Sequence, residues 1–233
     1  KPQLDLWNMN SLGYDGPQEL HDRVPFFATI RVVPIEKHRS HPVAGQPAAY
    51  QFPDVFDPEW QRDVTRRIES HCDRFRNNQF LIGYLWTDTP TWDLVKTRGL
   101  RGTDWVSAIR QLPQSAPGKQ RYTGFLSSRY RGRLRDLNAL YGLNLQSLES
   151  IANHSFERIA IGRHLVREDD KAFLRLIARQ FYQVVGRAQR RSDPHHLVLG
   201  DRYLAGDAPA AVLKAAAPWI DAVSVQPGDR YTK

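Results

Sequence analysis

The chain has 233 residues, 41% hydrophobic and 25% charged, which suffices for one large domain with a full core. It holds no apolar run of about 18 residues, so no transmembrane helix is expected, and the start at Lys1 without a signal-like stretch fits a processed chain or a piece of a longer one. The net charge is +8, but the densest basic cluster, Arg129, Arg131, Arg133 and Arg135, has a spacing that spreads side chains around a helix, so a solvated surface is expected and nucleic acid is not an expected partner.

Short β-rich runs alternate with helical patterns, which argues for a parallel α/β sheet. Leu6 to Leu12, closed by Gly13, is a weak first strand. Pro25 to Val33 is the second, and Pro34 to Val55 follows as a long loop rich in Pro, Gly, His and Gln. Asp57-Pro58 then opens a helix, with Asp capping free amides and Pro in the first turn. Trp60, Val64, Ile68, Cys72 and Phe75 give that helix one buried stripe, and Asn77-Asn78 ends it. Cys72 is the one cysteine, so no intrachain disulfide is available, and its apolar position predicts a buried structural thiol.

Phe80 to Trp86 is the third strand, and its near-continuous apolar character suits burial on both faces. Thr87 to Arg167 is a second long connection, with helical pieces at Trp105 to Leu112 and Phe125 to Tyr141. A strong helix is expected from about Asp170 to Arg190, with Phe173 or Leu174, Ile177, Phe181 and Val184 facing the core. Asp193-Pro194 stops it before the fourth strand, His196 to Tyr203. A helix near Pro209 carries Val212, Leu213 and Ala216, and Asp221 to Gln226 is the fifth strand. One domain over residues 1–233 is expected, with the two long connections leaving strand C-terminal ends, where barrels carry their functional loops. An open doubly wound sheet is the alternative, but no Gly-rich phosphate fingerprint follows any strand.

Candidate chemistry gathers at strand ends. Gly83 to Asp93 places Asp88, Trp86 and Trp92 together, and a sugar needs such a mixture: aromatic planes for its C–H faces and carboxylates for its hydroxyls. Asp201 and Arg202 end the fourth strand and are expected at its mouth, because a charged pair inside the core would be costly. Gln226 ends the fifth and is a hydroxyl-binding amide, and Asn10 is expected to reach the same mouth from the first. His38 and His41, three apart with no nearby Cys or clustered acids, do not make a metal site, and His195-His196 lies at the opposite end of a strand and reads as structural. No cofactor is expected.

The order of segments resembles the agarase and β-galactosidase-like glycoside hydrolases with a (β/α)8 barrel. The similar pieces are Asn10 to Gly13, Phe52 to Trp60, Ile82 to Tyr84, Asp193 to Arg202 and Asp221 to Gln226. The resemblance implies a TIM-barrel-like α/β fold of which strands two to six are in view, with a carbohydrate substrate and a secreted or periplasmic setting. It implies an acid/base Glu at the end of the fourth barrel strand, where this chain has Thr87-Asp88-Thr89. Thr89 stands at the Glu position, so Asp88 is the substitute candidate. The family's nucleophilic Glu would fall beyond Lys233 and its first strand before Lys1. The expected function is carboxylate-catalysed hydrolysis of a galactose-containing or related polysaccharide. The alternative is a barrel that binds carbohydrate or a protein partner without turnover.

Overall fold

The computed structural model describes Leu6 and residues 8–13, 16–32, 52–88, 92–101, 103–154 and 168–226. Four strands form one parallel sheet: β1 (Phe26–Thr29), β2 (Leu81–Asp88), β3 (Leu197–Leu204) and β4 (Ser224–Gln226). Their order in space is their order in the chain. A doubly wound sheet reverses direction at a switch point, and this succession has none. Right-handed crossovers that always step the same way put every helix on one face. Helices α1 (Pro58–Phe75), α6 (Glu168–Ser192) and α7 (Ala210–Ala216) accordingly pack side by side.

The helices form where their stripes predict. Asp57 accepts the Glu59 amide at 2.8 Å and Pro58 opens α1. Val64, Ile68, Cys72 and Phe75 are buried, and Trp60 is partly so. Cys72 is fully enclosed, takes a hydrogen bond from Gln189 at 3.1 Å, and has its thiol pushed up to about 11 by burial. Helix α6 buries Phe173, Ile177, Phe181 and Val185, with Val184 only partly covered. Asp193 closes α6: it accepts the His195 and His196 amides, the His196 ring at 2.7 Å and the Tyr84 hydroxyl at 2.7 Å. Burial works against that carboxylate, yet these hydrogen bonds outweigh it and hold the group below its ordinary range.

Between β2 and α6 lie α2 (Leu94–Arg101), α3 (Trp105–Arg110), α4 (Pro117–Arg129) and α5 (Leu134–Tyr141). The helix expected over Phe125 to Tyr141 is thus two, broken at Gly132, whose φ of 73° leaves the helical region. Asp169 and Asp170 at the start of α6 anchor this insertion. Asp170 pairs with Arg110, and Asp169 pairs with Arg129 and accepts from Tyr130 and Tyr141 at 2.7 and 2.8 Å.

Two strand expectations shift. The run Leu6 to Leu12 contributes only an isolated parallel bridge from Leu12 to Phe26. Burial on both faces holds for β2, whereas β3 and β4 leave Leu197 and Val225 exposed on one face. The loop Pro34 to Val55, with His38 and His41, falls largely outside the described residues.

The sheet is irregular where the site lies. Tyr84 pairs with Val198 but Leu85 with Gly200, so β3 takes an extra residue; β2 then takes one before Asp88 pairs with Arg202. Gly200 makes the first bulge, with φ of 67°, and a Cβ there would sit 2.7 Å from Ile220 Cγ2. Gly200→Ala should therefore destabilise by roughly 2–4 kcal/mol in urea unfolding, combining the left-handed penalty with overpacking. Gly124→Ala, in the exposed interior of α4 with open space around it, should instead stabilise by about 0.5–1 kcal/mol in the same assay.

Candidate functional site

The C-terminal edge of the sheet collects three of the predicted side chains. Arg202 donates from Nε to Asp88 Oδ1 at 2.8 Å and from Nη2 to Gln226 Oε1 at 2.8 Å. One guanidinium thus joins the ends of β2, β3 and β4. The two register slips between β2 and β3 cancel, so Asp88 meets Arg202 in the same register in which Tyr84 meets Val198. Asp88 is 9% exposed and the Arg202 side chain 24%, so the cluster is largely covered but reaches the surface at the sheet edge. Among the described residues Asp88 Oδ2 accepts no hydrogen bond and Gln226 Nε2 donates none. The two offer an acceptor and a donor to sugar hydroxyls, which donate and accept at once.

Asp201 does not stand at this mouth. Side chains alternate along a strand, so Asp201 and Tyr203 face the helices while Arg202 faces the other way. Asp201 is fully buried and accepts the Tyr182 hydroxyl of α6 at 2.7 Å, and Tyr182 shares a 2.7 Å hydrogen bond with Tyr203. Burial pushes the Asp201 carboxyl up to about 6, while Tyr182, Thr87 and Trp92 hold it back by hydrogen bonding to the charged form. The carboxylate therefore fastens the end of β2 to β3 and α6. Thr87 and Tyr182 are structural supports of the strand ends that the strand-end reading missed.

Trp86 and Trp92 are also interior, each with no exposed surface. Trp92 stacks on Trp105 at 4.3 Å and 5°, and Trp86 leans on Tyr182 at 6.1 Å. Neither presents a face to a sugar; they form an aromatic layer between the strand ends and α6. Asn10 is exposed, and the bridge from Leu12 to Phe26 sets it near the N-terminal edge of β1, away from the mouth. Thr89 lies outside the described residues. His196 holds Asp193 at the N-terminal end of β3, a structural place. Among the described residues no group of three or more His, Cys, Asp or Glu could hold a metal, and no helix is long and apolar enough to cross a membrane.

Comparison with known proteins points one way. No family model matches the chain. β-Agarase B of Vibrio sp. (strain JT0107) is 22% identical over 174 residues, which is 73% of this chain and 18% of that protein. β-Agarase A of the same strain is 26% identical over 185 residues, again 18% of its own length. The solved structure of an exo-β-agarase superposes with a TM-score of 0.74 at 23% identity, over 97% of this chain and 30% of that one. PfGH50B gives 0.72 at 22% identity, with 97% and 32% covered, and an agarase, AgWH50C, gives 0.69 at 21%, with 96% and 31% covered. The chain is agarase-like in sequence over about three quarters of its length and in fold over nearly all of it, and it spans about a fifth of the curated relatives it matches.

The Asp201 carboxyl sets a stability trend with pH. Its folded value lies above the unfolded one, so the native state holds the extra proton between about pH 4 and 6. Its contribution is full at the acid end and fades as pH rises through 6. Asp201→Asn removes that proton exchange, so the substitution should cost more stability at pH 4 than at pH 7. The difference should be on the order of 2–3 kcal/mol, read from urea unfolding at the two pH values.

Proposed function

We propose that this chain is the central part of a (β/α)8 barrel that hydrolyses glycosidic bonds in a galactose-containing polysaccharide. The observation that carries the reading is the Asp88–Arg202–Gln226 cluster, a carboxylate, a guanidinium and an amide joined at the C-terminal edge of a one-directional parallel sheet. Barrel enzymes place their chemistry on that edge. The agarases named above share the fold and are the source of the substrate class. Asp88 is the carboxylate proposed to transfer the proton at the glycosidic oxygen. Arg202 fixes Asp88 through one oxygen and leaves the other for the substrate. Gln226 donates to a sugar hydroxyl. Glycosidases need a second carboxyl group across the scissile bond, and the described residues supply none at this mouth.

One observation favours a second reading. Thr87-Asp88-Thr89 offers no Glu at the position where the resembling family carries it, and Asp88 is already engaged by Arg202. A barrel that binds the polysaccharide without cleaving it would need no more than this.

A single experiment separates the two. Hydrolysis of agaro-oligosaccharides is measured alongside binding by calorimetry for the wild type, Asp88→Asn and Asp88→Ala. The hydrolase reading predicts turnover that falls by about 10²–10⁴-fold in both variants, with binding of the oligosaccharide retained in Asp88→Asn. Turnover unaffected by either substitution removes Asp88 from the mechanism. Binding with no wild-type turnover favours the second reading.

A further inference from the structure

Helix α6 turns a row of cations away from the sheet. Arg175, Arg179 and Arg187 are exposed on one face, with Gln183 completing the four-residue spacing. Across from them stand Lys214 on α7 and the segment Pro218-Trp219. Arg175, Arg179, Gln183, Lys214, Pro218, Trp219 and the alanines of α7 line a groove of about 700 Å³, with Arg187 just beyond it. A smaller hollow of about 230 Å³ shares Arg175 and Ala211 with it and runs to Asp93 and Pro209, which follow β2 and β3. The groove therefore continues toward the C-terminal edge of the sheet.

Its charge is uncompensated. Arg175, Arg179, Arg187 and Lys214 make no ion pair with any described residue. Glu168, which feels Arg175 at longer range, is already paired with Lys171. The neighbouring trough between α1 and α6 also holds Arg62 and Arg187, but two of its four arginines are paired, Arg66 with Asp63 and Arg191 with Glu69. The groove floor is apolar and tightly built: a Cβ on Gly186 would sit 2.6 Å from Trp219 Cβ, and Arg187 lies over the Trp219 ring at 5.9 Å.

We infer that this groove binds a polysaccharide strand through its sulfate esters. Residues four apart on a helix lie roughly 6 Å apart, so Arg175 and Arg179 converge on one anion. A sulfate ester offers three terminal oxygens to two guanidinium forks, whereas a carboxylate is saturated by one. Alanine, proline and the Trp219 ring suit the C–H faces of pyranose rings. Single-stranded nucleic acid needs successive aromatic platforms, and this groove has one, covered on a face by Arg187. The inference rests on the proposed function only in taking the ligand to be a polysaccharide; it does not require that the chain cleave one.

The test is binding of the whole chain to a sulfated galactan of the carrageenan type, to the same polymer after desulfation, and to a single-stranded oligonucleotide, each over a range of salt. Affinity for the sulfated polymer should fall steeply with salt and be lost on desulfation. The double variant Arg175→Glu/Arg179→Glu should bind about 100-fold more weakly while melting like the wild type, because both side chains are exposed. Arg66→Glu, in the trough between α1 and α6, should keep the wild-type affinity, which separates the groove from general surface charge. Equal affinity for the desulfated polymer, undiminished binding by the double variant, tighter binding of the oligonucleotide, or an equal loss of affinity in Arg66→Glu would each overturn the assignment.

Discussion

A guanidinium at the end of a parallel strand must be neutralised where it stands, and Arg202 is. Its forked donors reach Asp88 on one side and Gln226 on the other, so three strand ends are held by one planar group. The register slips twice between β2 and β3, and because the slips cancel Asp88 still stands opposite Arg202. Gly200 permits the first slip and the extra residue before Asp88 makes the second. Beneath it, Asp201 joins Tyr182 and Thr87, so the helix layer supports the strand ends from behind. The strand ends therefore carry two layers of polar contacts, a partly exposed one facing out and an enclosed one facing α6.

The two layers divide the labour expected of a sugar-binding surface. The outer one keeps an acceptor on Asp88 and a donor on Gln226 for a hydroxyl. The inner one surrounds Trp86, Trp92, Trp105 and Tyr182, whose mutual packing excludes water from the ends of the strands. Because closely packed, buried side chains have few alternative arrangements, this layer can hold the outer groups in place. The cationic groove along α6 lies outside both layers and adds a second surface of different chemistry.

The sequence shows the frame of this fold clearly and its site only in part. The stripes of α1 and α6 and the cap at Asp57 are local patterns, and they fold as the spacing predicts. The runs that become β1 and β2 are equally plain, because they are short and nearly continuous in apolar residues. The break at Gly132 and helix α2 carry weaker signals, since short helices in an insertion are set by the surface they pack on. At the mouth, Asp88, Arg202 and Gln226 are legible as polar groups ending apolar strands. Trp86 and Trp92 are not separable by sequence from ligand-facing aromatics, because a tryptophan reads alike in a core and in a cleft. Strand alternation already forbids Asp201 and Arg202 from facing the same way, and the structure shows which of the two is enclosed. The four-residue spacing of Arg175, Arg179 and Gln183 is visible in the chain, but it becomes a groove only when Lys214 and Trp219 are packed opposite.

The central claim is that the Arg202 cluster is where a sugar is held. A crystal structure of the chain soaked with an agaro-oligosaccharide tests it directly. The account predicts ring hydroxyls within hydrogen-bonding distance of Asp88 Oδ2 and Gln226 Nε2, with the Arg202 bridge intact. A saccharide bound elsewhere, with those two atoms left without a sugar contact, would contradict it.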